Sequence, residues 1–340
     1  MKSLVKISNS DLLGLKNPVG LRENLKPAGF GKPSRLVFVS LFLVCFMACD
    51  SDKIYKDEQY KNVVYLLSGS ENVYTEAYTL NETESVRYFS IGCGGSNPNK
   101  EEIVVTLEPD YLLLDQYNRN NFVSESRYAR LLPANRYEIG SYTVTIPARP
   151  VDQYVKVPVK VRPLGLSPDT IYFIPLAIKS VSRYEVNDEK FNMLYRVTIE
   201  NDYARQKIST YYTKRGTEKN QSSDSETLLS GTKIVQPLTK DHVRMFAGNY
   251  SQGQLSTVAD IENYAIVVQV KEDNTLDITP YGSIEVEMLD APGYNHYYPE
   301  AMQGDTKQRV FYLYYRYRTK NMDAGEWMEA RETLTRVEED

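Results

Sequence analysis

The residues best suited to hold a ligand are Ala291-Pro292-Gly293-Tyr294-Asn295-His296-Tyr297-Tyr298-Pro299. Three tyrosines, one asparagine and one histidine fall outside any strand pattern, and loops carry much of protein recognition. A sugar ring has one apolar C–H face and a polar rim, so a site for it needs flat aromatics with a few fixed donors and acceptors. Tyr294, Tyr297, Tyr298 and the only tryptophan, Trp327, are expected to supply stacking faces, with Asn295 and His296 bonding to ring hydroxyls. The competing readings are a self-packed loop over a sheet end and, for Trp327, a core or barrel-mouth residue.

Catalytic constellations are weaker. A glycosidase needs two carboxylates about 5–10 Å apart. Glu285 and Glu287 stand two residues apart, but alternation with Ile284, Val286 and Met288 reads as the solvated face of a strand. Glu108 and Asp110 flank Pro109, which ends a strand and leaves Asp110 to open a turn. His242 and His296 are far from each other and from Cys93, and no HExxH or paired-cysteine motif occurs. No metal site or cofactor is expected. Cys93 closes an apolar alternation and reads as a buried structural thiol. Gly92-Cys93-Gly94-Gly95-Ser96 lacks the lysine of a phosphate loop and leads into Asn97-Pro98-Asn99, so it reads as a connection between strands. The chain is expected not to be an enzyme.

The elements that must position these residues are strands. Val63-Leu67, Val86-Ile91, Ile103-Glu108, Tyr142-Pro147, Tyr154-Val161, Ile171-Lys179 and Leu194-Glu200 are rich in Val, Ile, Tyr or Thr and bounded by turn residues. They predict an Ig-like antiparallel β-sandwich over residues 61–201, with Pro158 and Pro175 at edges or bulges. The polar stretch 214–232 is poor in core-forming residues and reads as a linker or long loop. Tyr264-Val270, Thr275-Thr279, Ser283-Leu289, Val310-Arg318 and Trp327-Thr335 predict a second antiparallel β domain over residues 202–340. A lipocalin-like barrel or a small sandwich would bury one face of each. Tyrosine is abundant, 28 residues against 10 Phe, as suits strands with one packed and one wet face.

Upstream, residues 36–49 form an apolar run behind Lys32 and Arg35 that ends on Ala48-Cys49 and switches to Asp50-Ser51-Asp52-Lys53. A basic flank, a short apolar run and a small-residue end are the parts of a secretory signal, too short to span a bilayer. The small residue followed by cysteine resembles a bacterial lipoprotein signal. That resemblance implies removal of residues 1–48, lipidation of Cys49 and a tether over 49–60. Removing the leader takes seven basic and two acidic residues away, leaving 33 against 43 and a formal charge of −10. Such a balance argues against nucleic acid and against anionic lipid as partners.

Ile103-Val104-Val105-Thr106-Leu107, Leu114-Asp115-Gln116-Tyr117-Asn118, Tyr128 to Pro133, Tyr142 to Ala148 and Ile171 to Ile178 together resemble the Ig-like N-terminal domain of Bacteroidota surface lipoproteins. That domain is also found ahead of family-18 glycoside hydrolase modules. Phe311 to Tyr317, Trp327 and Arg331 to Arg336 resemble the β-rich domain that commonly follows it. The resemblance covers roughly residues 50–340. It implies an outer-membrane, cell-surface lipoprotein of a polysaccharide utilisation locus, holding a glycan or oligosaccharide beside an importer pair. The alternative it leaves is a structural or assembly component of the importer complex.

Overall fold

Short segments that alternate apolar and polar residues bury one face each and pair into sheets. The computed structural model describes residues 60–148, 153–223, 225–251 and 257–337. Cys49, the expected lipidation site, lies outside the described residues.

The first strands are β1 (Val63–Leu66), β2 (Val73–Thr79), β3 (Ser85–Gly94), β4 (Ile103–Glu108), β5 (Arg130–Leu131) and β6 (Tyr137–Ile139). They are followed by β7 (Thr143–Ile146), β8 (Tyr154–Val161), β9 (Tyr172–Val181), β10 (Glu185–Val186) and β11 (Asn192–Glu200). One sheet runs β10-β1-β3-β8-β6 and the other β2-β11-β9-β4-β7, with β5 also on β9. Their inner faces meet in one apolar core that includes Leu66, Phe89, Ile91, Val159, Leu176 and Val197. The expected sandwich forms. Most ladders are antiparallel, while β1–β10, β2–β11 and β5–β9 are parallel.

Three local expectations are corrected. Asp110 opens a helix, α1 (Tyr111–Asn121), as its side chain accepts from the Leu113 amide at 3.2 Å. Leu114 of that helix packs with Phe173 and Leu194 on the outer face of the second sheet, which explains why β9 is apolar on both sides. Gly92 to Gly94 belong to β3 and not to a loop, and a Cβ on Gly92 would meet the Tyr65 ring at 2.8 Å. Pro158 and Pro175 lie in interior strands. Their carbonyls accept from Gly140 at 3.0 Å and Asp110 at 3.3 Å, just beyond the ends of β6 and β4, where a missing N–H breaks no ladder. Cys93 is free and buried, and burial pushes its thiol up.

The second part contains β12 (Thr210–Asn220), β13 (Glu226–Pro237), β14 (His242–Phe246), β15 (Ala265–Val270) and β16 (Leu276–Pro280). It ends with β17 (Glu285–Met288), β18 (His296–Gln303), β19 (Thr306–Arg318) and β20 (Met328–Val337). A short helix, α2 (Val258–Tyr264), starts at a Thr257–Asp260 capping box. The sheet runs β16-β15-β14-β13-β12-β20-β19-β17, with β18 on the free length of β19. It curls until its ends approach. Ile278 N–H reaches Met288 Sδ at 3.2 Å, and Leu276 and Tyr297 amides bond to the Asn295 and Asn274 carbonyls at 2.9 and 2.8 Å. The result is a near-closed barrel.

The polar stretch 214–232 is not a loop. It forms most of the β12–β13 hairpin, whose ladder runs from Thr210↔Val235 to Lys219↔Glu226. Three charged residues of the hairpin turn inward: Lys214, Glu218 and Lys233 are 4%, 7% and 3% exposed, and Glu332 of β20 is 0% exposed. Lys233 pairs with Glu332, which also accepts the Tyr315 hydroxyl. Tyr317 donates to Glu218 at 2.7 Å, and Lys214 donates to the Gly248 carbonyl at 3.2 Å and Asn249 Oδ1 at 3.0 Å. Charge is thus buried in a balanced, hydrogen-bonded set, the arrangement under which burial is tolerable. The two parts are stitched together by a bidentate Arg244–Asp169 pair and by Asn201 donating to the Thr239 carbonyl at 2.7 Å.

Candidate ligand groove on the barrel exterior

Residues of β12, β20, β19 and β18 that do not face the core face outward, and the ladder register lines them up across the sheet. Arg215, Thr333, Tyr312 and His296 are successive cross-strand neighbours in one row. Thr213, Thr335, Val310 and Tyr298 form the next. Four adjacent strands carry each row, so it extends about 14 Å. Walls rise on either side: Arg205, Ile208 and Tyr211 at the entry to β12, and Met302 with Gln303 at the turn between β18 and β19. Arg215, Thr333 and Tyr312 of the first row and Thr213, Thr335 and Val310 of the second line an open groove of about 950 Å³, and none of the six expected ligand residues lines it. Threonine hydroxyls, glutamine amides and guanidinium groups give it hydrogen-bonding capacity, and Tyr211 and Tyr312 give it rings.

Period-two alternation divides His296, Tyr297 and Tyr298 between the two faces. The segment expected as a loop over 291–299 becomes strand from His296 onward. His296 and Tyr298 therefore face out, their rings 4.7 Å apart. Tyr298 meets Tyr312 edge-on at 5.5 Å, and Tyr294 lies 6.2 Å from Tyr312 and 5.7 Å from Tyr314. Tyr297 faces in: it is 3% exposed and packs on Phe311 at 4.6 Å and Tyr203 at 5.1 Å. It is a core residue with no free ring face. Asn295 is occupied by its own loop, donating to the Leu289 carbonyl at 2.8 Å and accepting from the Tyr314 amide at 2.9 Å. Its φ of 53° places it in the left-handed region, a conformation asparagine adopts more readily than most residues.

Trp327 sits farther along the same outer face. Arg316 and Arg318 stack over its ring at 4.7 and 5.4 Å, and both are held by Glu287 and Glu285. The indole is therefore engaged by the protein's own cations. The same contacts account for Glu285 and Glu287, which are exposed partners of arginine on a solvated strand face, with Ile284 buried beside them. Glu108 likewise pairs with Lys179 at 3.4 Å. Among the described residues no three His, Cys, Asp or Glu side chains gather as a metal site would require.

Sequence reasoning missed Tyr211, Arg215, Tyr312 and Thr333, which line the groove. A signal for one of them was present: in Val310 to Arg318, Tyr312 shares its parity with Arg316 and Arg318, which marks the wet face. Arg215 and Tyr211 lay in or beside a stretch with no readable alternation.

Two family models match the chain, one described as an N-terminal domain over residues 60–185 and one as C-terminal over residues 191–335. No curated protein matches it at a significant level. A solved Bacteroides ovatus protein of unknown function is 18% identical, with 81% of this chain aligned to 94% of that one and a TM-score of 0.63. A multidomain Bacteroides ovatus protein including DUF1735 is 17% identical over the same shares, with a TM-score of 0.58. A protein described as an auxiliary nutrient binding protein from Bacteroides thetaiotaomicron is 13% identical, over 79% of this chain and 92% of that one, with a TM-score of 0.57. The chain therefore matches an N-terminal and a C-terminal family model in turn and shares its fold with these Bacteroides proteins.

Proposed function

We propose that this protein is a non-catalytic, lipid-anchored cell-surface protein that holds a glycan in the groove on its barrel exterior, for delivery to an outer-membrane importer. The observation that carries the reading is the register row itself. It sets the Tyr312 ring among threonine hydroxyls and amides, as recognition of a sugar's apolar face and polar rim requires. The paired carboxylates that hydrolysis needs are instead tied to arginines, which supports binding without catalysis. The nutrient-binding role given to one fold relative is of the same kind. The anchor rests on Ala48-Cys49 and the abrupt change to polar residues after it.

Glycan-array binding followed by calorimetric titration tests the reading. Tyr312→Ala should weaken the best oligosaccharide by about 5- to 30-fold, roughly 1–2 kcal/mol. Tyr88→Ala, at an exposed tyrosine on the sandwich, should leave it unchanged. Equal affinity in wild type and Tyr312→Ala, with folding intact, would remove the groove as the site. Cys49→Ala should release the protein from the membrane fraction, and continued membrane association would refute the anchor.

A further inference from the structure

The groove is lined by three guanidinium groups, Arg205, Arg215 and Arg336, and by no aspartate or glutamate. This reverses the balance of the whole chain, in which 45 acidic residues outnumber 40 basic ones. Elsewhere on the same outer face the arginines are neutralised, Arg316 by Glu287 and Arg318 by Glu285. Arg205 approaches Glu200 at 3.8 Å, and both Arg205 and Arg336 also border an adjoining hollow that contains Glu200 and Asp202. Arg215 differs. It is exposed, its cross-strand neighbours are the uncharged Ser230 and Thr333, and among the described residues no carboxylate pairs with it. An exposed guanidinium without an acidic neighbour, in a groove free of carboxylates, leaves a local positive field on an acidic protein. Its planar fork of donors matches a carboxylate or a sulfate in two-point contact.

We infer that the groove takes an anionic glycan, one bearing uronate or sulfate groups, with Arg215 as its principal charge contact. The inference rests on the binding reading above and narrows its ligand. Tyr312 stacks on the sugar, Thr333 stands between ring and guanidinium, and Arg215 meets the acidic substituent. The row that joins the three spans neighbouring strands, so one bound chain reaches all of them.

Calorimetry on two matched pairs tests this. The first is an oligogalacturonate with its fully methyl-esterified form, and the second a sulfated galactan oligosaccharide with its desulfated form. In at least one pair the charged member should bind about tenfold tighter, with the preference shrinking as salt rises. Which pair responds identifies carboxylate or sulfate as the recognised group. Arg215→Gln should abolish the preference, so that the charged and neutral members of the responding pair bind alike. Arg215→Lys should keep the salt-sensitive part and lose the part that depends on the fork. Neutral members that bind as tightly as charged ones would overturn the inference, as would a preference that survives Arg215→Gln. In those cases the binding reading stands if Tyr312→Ala still weakens the neutral member. Failure of all four probes to bind would overturn the inference for both anion classes, and the glycan array with Tyr312→Ala would judge the binding reading separately.

Discussion

The sandwich and the barrel are built from similar strands but fill their interiors differently. In the sandwich the core is apolar, and its most buried polar contact is a pair of tyrosines: Tyr78 and Tyr195 share a 2.7 Å hydrogen bond, with Tyr78 donating on to the Val159 carbonyl. The barrel encloses two lysines and two glutamates, tied together by Tyr315, Tyr317 and the backbone near Gly248. One interior can lose a polar contact at small cost. The other holds charges whose burial is bearable only while every partner stays in place. Its demand for one arrangement also gives the β12–β20 ladder a firm register, and that register sets the groove row on the opposite face.

Breaking this contrast should therefore hurt the barrel first. Glu332→Ala leaves the buried Lys233 ammonium unpaired, and urea unfolding should show a loss of about 3–5 kcal/mol. Lys233→Met combined with Glu332→Leu removes both charges and should cost clearly less than Glu332→Ala alone. A double variant as unstable as the single one would show that the pair contributes more than mutual neutralisation.

Gly248→Ala should follow at roughly 2–3 kcal/mol. Gly248 has a φ of +48°, and an added Cβ would meet Glu218 Oε1 at 1.8 Å, against the carboxylate that accepts from Tyr317. A thermal midpoint equal to wild type would mean that this segment yields freely.

Alkaline pH should act on both interiors. Burial, and then the neighbouring carboxylates, push Tyr315 and Tyr317 well above the ordinary 10.0. Their stabilising effect is complete below that value and is lost as pH rises beyond it, by about 1.4 kcal/mol per pH unit for each tyrosine. Lys214 works the other way, because burial and then Lys233 lower it from 10.5, so its contribution improves as pH climbs toward that value. Stability should thus fall above pH 10.0, and Tyr315→Phe should flatten the fall by one tyrosine's slope. An unchanged slope in unfolding against pH would contradict the assignment.

The smallest effect belongs to the sandwich. Tyr195→Phe removes one donor from an otherwise apolar core and should cost about 1 kcal/mol in urea unfolding. A loss as large as that of Glu332→Ala would erase the distinction between the two interiors.

Legibility followed the same division. Strands such as Ile103–Glu108 and Tyr154–Val161 could be bounded from sequence because one face is apolar and turn residues close each end. The β12–β13 hairpin could not, since its inward residues include Lys214, Glu218 and Lys233, which on composition alone look like solvent-exposed chain. The groove was hidden for a related reason, and none of the six expected ligand residues lines it. Tyr294, His296 and Tyr298 do reach the outer face, but strand alternation from His296 onward turned Tyr297 inward. Sequence alone determined the all-β class, the apolar sandwich core and the buried Cys93, because each is a local pattern of apolar and polar residues. Only the tertiary structure decided that charges far apart in sequence neutralise one another inside a barrel, and that Arg215, Thr333, Tyr312 and His296 stand in one row. Pairing register links residues that are distant along the chain, and no local periodicity encodes which strand will lie beside which.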